Sequence, residues 1–240
     1  MGDSEALRDR FADKAPELAQ LEESRRTALS TKVLRFVEPR GDERVLDSGT
    51  GTGALAFALA PHVAEVVGVD LVPELLAEAR KRAADFPNVT FVEGDVTSLP
   101  PDLGEFDLAA TVRTLHHIRR PELAIAELVR VTRRGGRILV VDHVAPIDPL
   151  AGLELNRFES ARDPTHHRTL ADADFRQLFE ANDLRLLRSE LETETRDVER
   201  YLDLAGCEGD ERDRARAAAP GDESFPVTVG WYLLARSAVL

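Results

Sequence analysis

The chain predicts an α/β fold: a parallel sheet with helices on both faces. Three observations lead there. From Glu43 onward, short β-branched runs alternate with helix-patterned runs, the rhythm of repeated βαβ units. Alternating glycines follow the first strand-like run in "DSGTGTG", where such folds turn tightly from strand to helix. Asp47, Asp70 and Asp95 close three successive strand-like runs, at the sheet edge where open α/β folds bind ligands.

The elements follow in order. A helical segment of roughly forty residues precedes the core. "RVLDSG" then reads as a strand, "GALAFALAPH" as a helix, "EVVGVD" as a strand and "PELLAEARKRAADF" as a helix. "NVTFVEGD" and "EFDLAATV" read as strands, "PELAIAELVRVTR" as a helix and "GRILVVDHV" as a strand. Pro73 and Pro121 stand where a first helical turn tolerates proline, each followed by a glutamate that suits the positive helix end. Gly135 and Gly136 follow "VTRR", a cationic last turn closed by glycine. Beyond that unit, "LAGLELNRFESAR" and "ADADFRQLFEAND" pattern as helices and "LRLLRSELETE" as a strand. "RDVERYLDLAG" and "DERDRARAAA" pattern as helices, Pro220 and Gly221 mark a turn, and "FPVTVGWYLLARSAVL" is a strand. No internal repeat is present.

Composition narrows the function classes. With 240 residues and 43% apolar content, the chain suits one compact domain. The net charge of -13 is spread along it, which argues against sequence-independent binding to nucleic acid or anionic membranes. No apolar run approaches the length of about 20 residues that spans a bilayer. The charged N-terminal stretch is unlike a secretory signal, so a cytoplasmic location is expected. Cys207 is the single cysteine, which excludes an internal disulfide and a multi-cysteine zinc site. It is expected to be a small buried residue.

Three readings compete for the loop holding Gly49, Thr50, Gly51 and Gly53: a phosphate-cradling P-loop, a dinucleotide fingerprint, and the loop that binds S-adenosylmethionine. The P-loop fails because Gly53 is followed by Ala54 and Leu55 rather than by Lys and a hydroxyl residue. Gly49, Gly51 and Ala54 satisfy a loose dinucleotide pattern. Asp47 counts against it, since a carboxylate there opposes a pyrophosphate and suits a ligand carrying an ammonium and a sulfonium. Asp70 follows the glycines by about twenty residues, the place where such folds hydrogen-bond ribose hydroxyls.

The block "VLDSGTGTG", "VVGVDLVPELLAEAR", "VEGDVTSLP" and "FDLAATVRTLHHIRRPELAIAELVRVTRRGGRILVVD" resembles the class I S-adenosylmethionine-dependent methyltransferases, small-molecule type, the group that includes the ubiquinone/menaquinone-biosynthesis enzymes. The resemblance implies a Rossmann-like three-layer sandwich whose seven-stranded, mostly parallel sheet has its last strand antiparallel, with a helical cap. It implies S-adenosylmethionine as cofactor, with Asp47, Gly49, Thr50, Gly51 and Gly53 lining the methionine end. Asp70 then binds the ribose hydroxyls with Leu71 packed beside it. Asp95 accepts from the adenine amino group, the Val96 amide meets a ring nitrogen, and Thr111 approaches the methionine. Residues 1–40 become an N-terminal helical lid on a domain spanning 41–240, with cap insertions at about 146–182 and 194–222. One departure is visible: of the F-x3-A-x2-Y pattern of relatives, Phe11 and Ala15 are kept, but Leu18 replaces the tyrosine.

Methyl transfer from a sulfonium is an in-line displacement that positioning can accelerate. It needs no metal, and it needs a base only where the acceptor must lose a proton. The candidate bases or substrate-facing groups are His116, His117, His143 and His166. Adjacent histidines such as 116 and 117 rarely chelate together, so no metal is expected. "RDPTHHR", with Arg162, His166 and Arg168, either meets an anionic group or forms a turn set by Asp163. The N/D-P-P-Y/F sequence of nucleic-acid amino-methyltransferases is missing from "TVRTLHH", and one cysteine cannot hold arsenite. A small organic acceptor under a helical cap remains, with no nucleic-acid partner. Two alternatives stay open: an S-adenosylmethionine-binding protein that does not methylate, and a dinucleotide-dependent oxidoreductase.

Overall fold

The computed structural model describes residues 3–237. Helices α1 (Asp3–Ala12) and α2 (Ala15–Val37) lead into β1 (Arg44–Ser48), α3 (Ala54–Leu59), β2 (Glu65–Asp70), α4 (Pro73–Arg82) and β3 (Val89–Glu93). Then follow β4 (Phe106–Val112), α5 (Pro121–Val131), β5 (Thr132–Ala145), α6 (Pro149–Arg162), β6 (Leu170–Ala171) and α7 (Asp172–Glu180). The chain ends with β7 (Leu184–Asp197), α8 (Val198–Ala205), α9 (Gly209–Ala217) and β8 (Ser224–Arg236). The strands order as β3-β2-β1-β4-β5-β8-β7, with β6 as a short addition to β5. The first five run parallel, and β8 is inserted antiparallel between β5 and β7. This is the Rossmann-like sandwich expected from the sequence. No helix among the described residues is long and apolar enough to cross a membrane.

The three layers follow from strand alternation. Leu46, Ile138 and Val140 face a core closed by Ile125 and Leu128 of α5 and Phe175 and Phe179 of α7. Their neighbours Val45, Leu139 and Val141 face the opposite core, closed by Val33 and Phe36 of α2 and Leu55 and Phe57 of α3. Central strands buried on both faces read as continuous apolar runs, as β2 does in "EVVGVD". Pro73 and Pro121 open α4 and α5 as their positions predict.

Two local expectations need correction. Helix α5 ends at Val131 instead of running to the glycines, because Thr132 donates its hydroxyl to the Leu128 carbonyl and pairs with Phe106 of β4. Gly135 and Gly136 therefore lie within the extended start of β5. Strand β3 stops at Glu93, so Asp95 stands in the turn beyond it, where its carboxylate takes the Thr97 amide and hydroxyl.

A separate apolar cluster joins α6, α8 and α9 through Leu155, Phe158, Tyr201, Leu202 and Ala215, closed by Phe225 and Val227 at the start of β8. Cys207 is buried within it. From α1, Arg10 donates to the carbonyls of Arg162 (3.1 Å) and Ala205 (3.0 Å) and stands 3.8 Å from the Asp163 carboxylate. The N-terminal helices are thus fastened to this cluster as well as to the sheet.

Truncating Leu108, fully buried on β4, is expected to cost about 2–5 kcal/mol in Leu108→Ala. Leu204 is 43% exposed, and Leu204→Ala is expected to stay within about 0.5 kcal/mol of the parent. Urea unfolding checks both, and equal midpoints for the two variants would contradict the assignment of the core.

Candidate functional site

The glycine loop turns from β1 into α3 above the end of β2. The amides of Gly49 and Thr50 donate to the Val69 carbonyl at 2.8 and 2.9 Å, so the loop is fixed by its neighbour strand. Gly49 has φ +78° and Gly53 φ +89°, a region that side chains disfavour. Space is also short: a Cβ on Gly49 would stand 2.4 Å from the Thr114 hydroxyl, and one on Gly53 2.6 Å from the Phe57 ring. Nothing but Glu22 approaches a Cβ placed on Gly51, at 3.9 Å, so a ligand can reach the backbone there.

Three carboxyl groups surround this loop. Asp47 lies beneath it, 1% exposed, accepting from the Thr50 hydroxyl (2.7 Å) and the Ala56 amide in the first turn of α3 (3.1 Å). Burial pushes its pKa up to about 7 against these donors. These contacts brace the loop from inside. Asp70, at the end of β2, accepts from the Gly51 amide (2.7 Å) and the Val72 amide (2.9 Å), and burial raises its pKa as well. Glu22 reaches in from α2 to accept from the Thr52 hydroxyl, again with a pKa raised by burial.

The other expected cofactor residues are placed less uniformly. Leu71 is half-buried beside Asp70, and its carbonyl accepts from Arg8 of α1 at 3.0 Å. Val96 is buried in the core on the α5 face, next to the Asp95 turn. Thr111 is not at the end of its strand: it is 2% exposed and paired with Val140, while β4 runs on to Val112. Arg113, with φ +54°, and Thr114, which packs on Gly49, are the residues that leave β4 toward the loop.

Beyond β4, four histidines gather. The pairing of Val112 with Val141 brings the exit of β4 beside Asp142 of β5. Asp142 accepts from the Leu115 amide (2.7 Å), the His116 amide (3.3 Å) and the His143 amide (2.7 Å), and its Oδ1 lies 2.5 Å from His116 Nδ1. The His116 ring stacks on His143 with centroids 5.1 Å apart and 19° between planes. His117 lies 4.2 Å and His166 5.8 Å from it. The 163–168 loop docks here because the His167 and Arg168 amides donate to the His116 carbonyl at 2.9 and 3.2 Å.

Within that loop Asp163 accepts from the Thr165 amide and hydroxyl, and Thr165 Oγ1 stands 3.0 Å from His117 Nδ1. Phe11 of α1 meets the His117 ring edge-on at 5.3 Å. Arg162 is engaged by Glu159 at 2.7 and 2.9 Å, and Arg168 by Asp174 at 2.8 Å. Of the two readings of "RDPTHHR", the turn set by Asp163 is therefore the one realised.

The environment divides the imidazoles. Burial lowers His117 to about 3, His166 to about 4 and His143 well below its ordinary value. Burial acts the same way on His116, but the charge and hydrogen bond of Asp142 overcome it and raise its pKa. His116, Asp142 and His143 offer ligand atoms within 4.8 Å of one another. They fit a cation poorly, since an ion lies in the plane of each ligating ring and these two planes are nearly parallel. Asp142, Glu22, Arg113 and Thr114 are the residues that sequence reasoning missed. Asp142 had a signal, an acid inside the β-branched run "ILVVDHV", where a buried charge requires partners.

Comparison with known proteins agrees with this fold. The profile of the methyltransferase-domain family matches residues 45–136. The uncharacterized methyltransferase YcgJ of Bacillus subtilis is 36% identical over 154 residues, 63% of this chain and 61% of that one. Its crystal structure superposes with a TM-score of 0.79 at 25% identity, covering 87% of this chain and 97% of that chain. The demethylmenaquinone methyltransferase of Clavibacter sepedonicus is 38% identical over 116 residues, 48% of this chain and 47% of that one. In sequence, the chain thus spans between about half and three fifths of these curated relatives.

The raised Asp47 pKa makes stability depend on pH. Below its ordinary value of 3.8 both folded and unfolded states hold the proton; between there and about 7 only the folded state does, so stability falls as pH rises. Asp47→Asn keeps the Thr50 and Ala56 contacts without the titration. Its urea unfolding free energy is expected to fall less than that of the parent from about pH 4 to 7. Parallel curves would mean that Asp47 is ionised throughout.

Proposed function

We propose that the chain, which matches the methyltransferase-domain family over residues 45–136, is a class I methyltransferase that transfers a methyl group from S-adenosylmethionine to a small organic acceptor by in-line displacement. The observation that carries this reading is the ring of Asp47, Asp70 and Glu22 carboxyl groups around the glycine loop. Burial raises their pKa values, and a cationic ligand is the partner that favours their ionised forms, whereas a pyrophosphate opposes them. The ring therefore supports the sulfonium cofactor over a dinucleotide.

S-adenosylmethionine supplies a methyl group on a cationic sulfur, an electrophile that needs no metal. The protein's part is to hold and orient. The backbone of Gly49, Thr50, Gly51 and Gly53 receives the methionine portion, and Arg113 is the cation available for its carboxylate. Asp70 accepts from the ribose hydroxyls beside Leu71. Asp95 and the Val96 amide meet the adenine edge.

The N-terminal helices serve as a lid. Glu22 on the loop and Phe11 on His117 support this assignment. The segments around α6–α7 and α8–α9 cap the acceptor. The family profile ends before them, so the likeness to demethylmenaquinone methyltransferases supports a small organic acceptor without naming it.

Calorimetric titration with S-adenosylmethionine, its demethylated product and NADH tests the reading. The first two are expected to bind, and Asp70→Ala to weaken both more than tenfold, above about 1.4 kcal/mol. Binding of NADH without S-adenosylmethionine would overturn the function. An Asp70→Ala affinity within about twofold of the parent would overturn the ribose assignment.

A further inference from the structure

We propose that His116 is the general base of the reaction, held by Asp142, and that the acceptor is therefore a weakly acidic hydroxyl, phenolic or enolic, which must be deprotonated as it is methylated. The inference rests on the methyl-transfer reading and deepens it. Asp142, 1% exposed and bonded to three backbone amides, is an acceptor fixed in place. At 2.5 Å from His116 Nδ1 it holds the proton on that nitrogen, which makes Nε2 the basic one. The other three imidazoles are held differently: His117 meets Thr165, with Asp163 beyond it, His166 meets Asn156, and His143 stacks on His116.

The acceptor hydroxyl gives its proton to His116 Nε2 while its oxygen forms the bond to the methyl carbon. The carbon–sulfur pair returns to sulfur as a neutral thioether, and the imidazolium then loses its proton to water. Charge is conserved, and no further reactant is needed. An amine that is nucleophilic as a free base would not require this arrangement.

The groups facing His116 are Asp142 and His143 of β5, Glu159 and Arg162 of α6, and the imidazoles of His117 and His166. Asp142 outweighs the rest and raises the His116 pKa. Activity requires the neutral ring, so the rate rises with pH through that value. Removing the charge in Asp142→Asn moves this limb to lower pH.

The test uses the whole chain, S-adenosylmethionine and a series of para-substituted phenols from cresol to nitrophenol, with release of the demethylated cofactor as readout. His116→Gln is expected to bind S-adenosylmethionine as the parent does. It should lose about 100-fold or more in rate on cresol and little on nitrophenol assayed above its own pKa, where that phenol is already ionised. Nitrogen-15 NMR of labelled histidine is expected to find the Nδ1–H tautomer at His116, with a pKa that falls in Asp142→Asn.

Equal losses on every phenol, an Nε2–H tautomer, or an unmoved pH limb would overturn the base. Cofactor binding without turnover of any phenol would overturn the acceptor class. Failure of S-adenosylmethionine to bind would instead overturn the methyl-transfer reading itself.

Discussion

The histidine cluster depends on one buried carboxylate. Asp142 gathers the amides of residues 115, 116 and 143 and the His116 imidazole around two oxygen atoms. A buried charge is tolerated only where donors replace water, and here the donors come from two adjacent strands' exits. Once His116 is held, its carbonyl points to the 163–168 loop and receives two amides from it. That loop in turn orders Thr165 and, through it, His117. Loss of the carboxylate would leave a chain of polar groups without its anchor.

The two halves of the site have opposite electrostatic character. Around the glycine loop the structure gathers acid, and burial makes Asp47, Asp70 and Glu22 resist ionisation. Around His116, three imidazoles are pushed toward neutrality by burial and one is kept basic. Under the proposed function, the first half suits a sulfonium donor and the second an acceptor that must give up a proton.

Most of the fold was legible in the chain because its signals are local. Prolines 73 and 121 mark helix starts, the glycines of residues 49–53 mark the turn, and β-branched runs mark buried strands. Where local signals misled, a distant strand partner or a competing local hydrogen bond intervened. The end of α5 is moved by pairing of Thr132 with Phe106, and Asp95 is drawn past the strand by its own turn. The site was legible on the loop and at Asp70 and less so elsewhere. "LHH", "DH" and "RDPTHH" are separate fragments in the sequence, and only strand register and loop docking show that they form one cluster. Glu22 has no local mark at all, since its meaning comes from the packing of α2 against a loop some thirty residues away.

The N-terminal helices touch both halves. Glu22 rests on the glycine loop, Phe11 on His117, and Arg10 on the carbonyls of Arg162 and Ala205. A ligand that displaces one of these contacts alters the footing of the others, so the energies of occupying the two halves are shared instead of independent. Thermodynamic linkage then runs in both directions with equal size. Under the proposed function, donor and acceptor affinity become a joint property of α1 and α2, which contain neither the glycine loop nor the histidines.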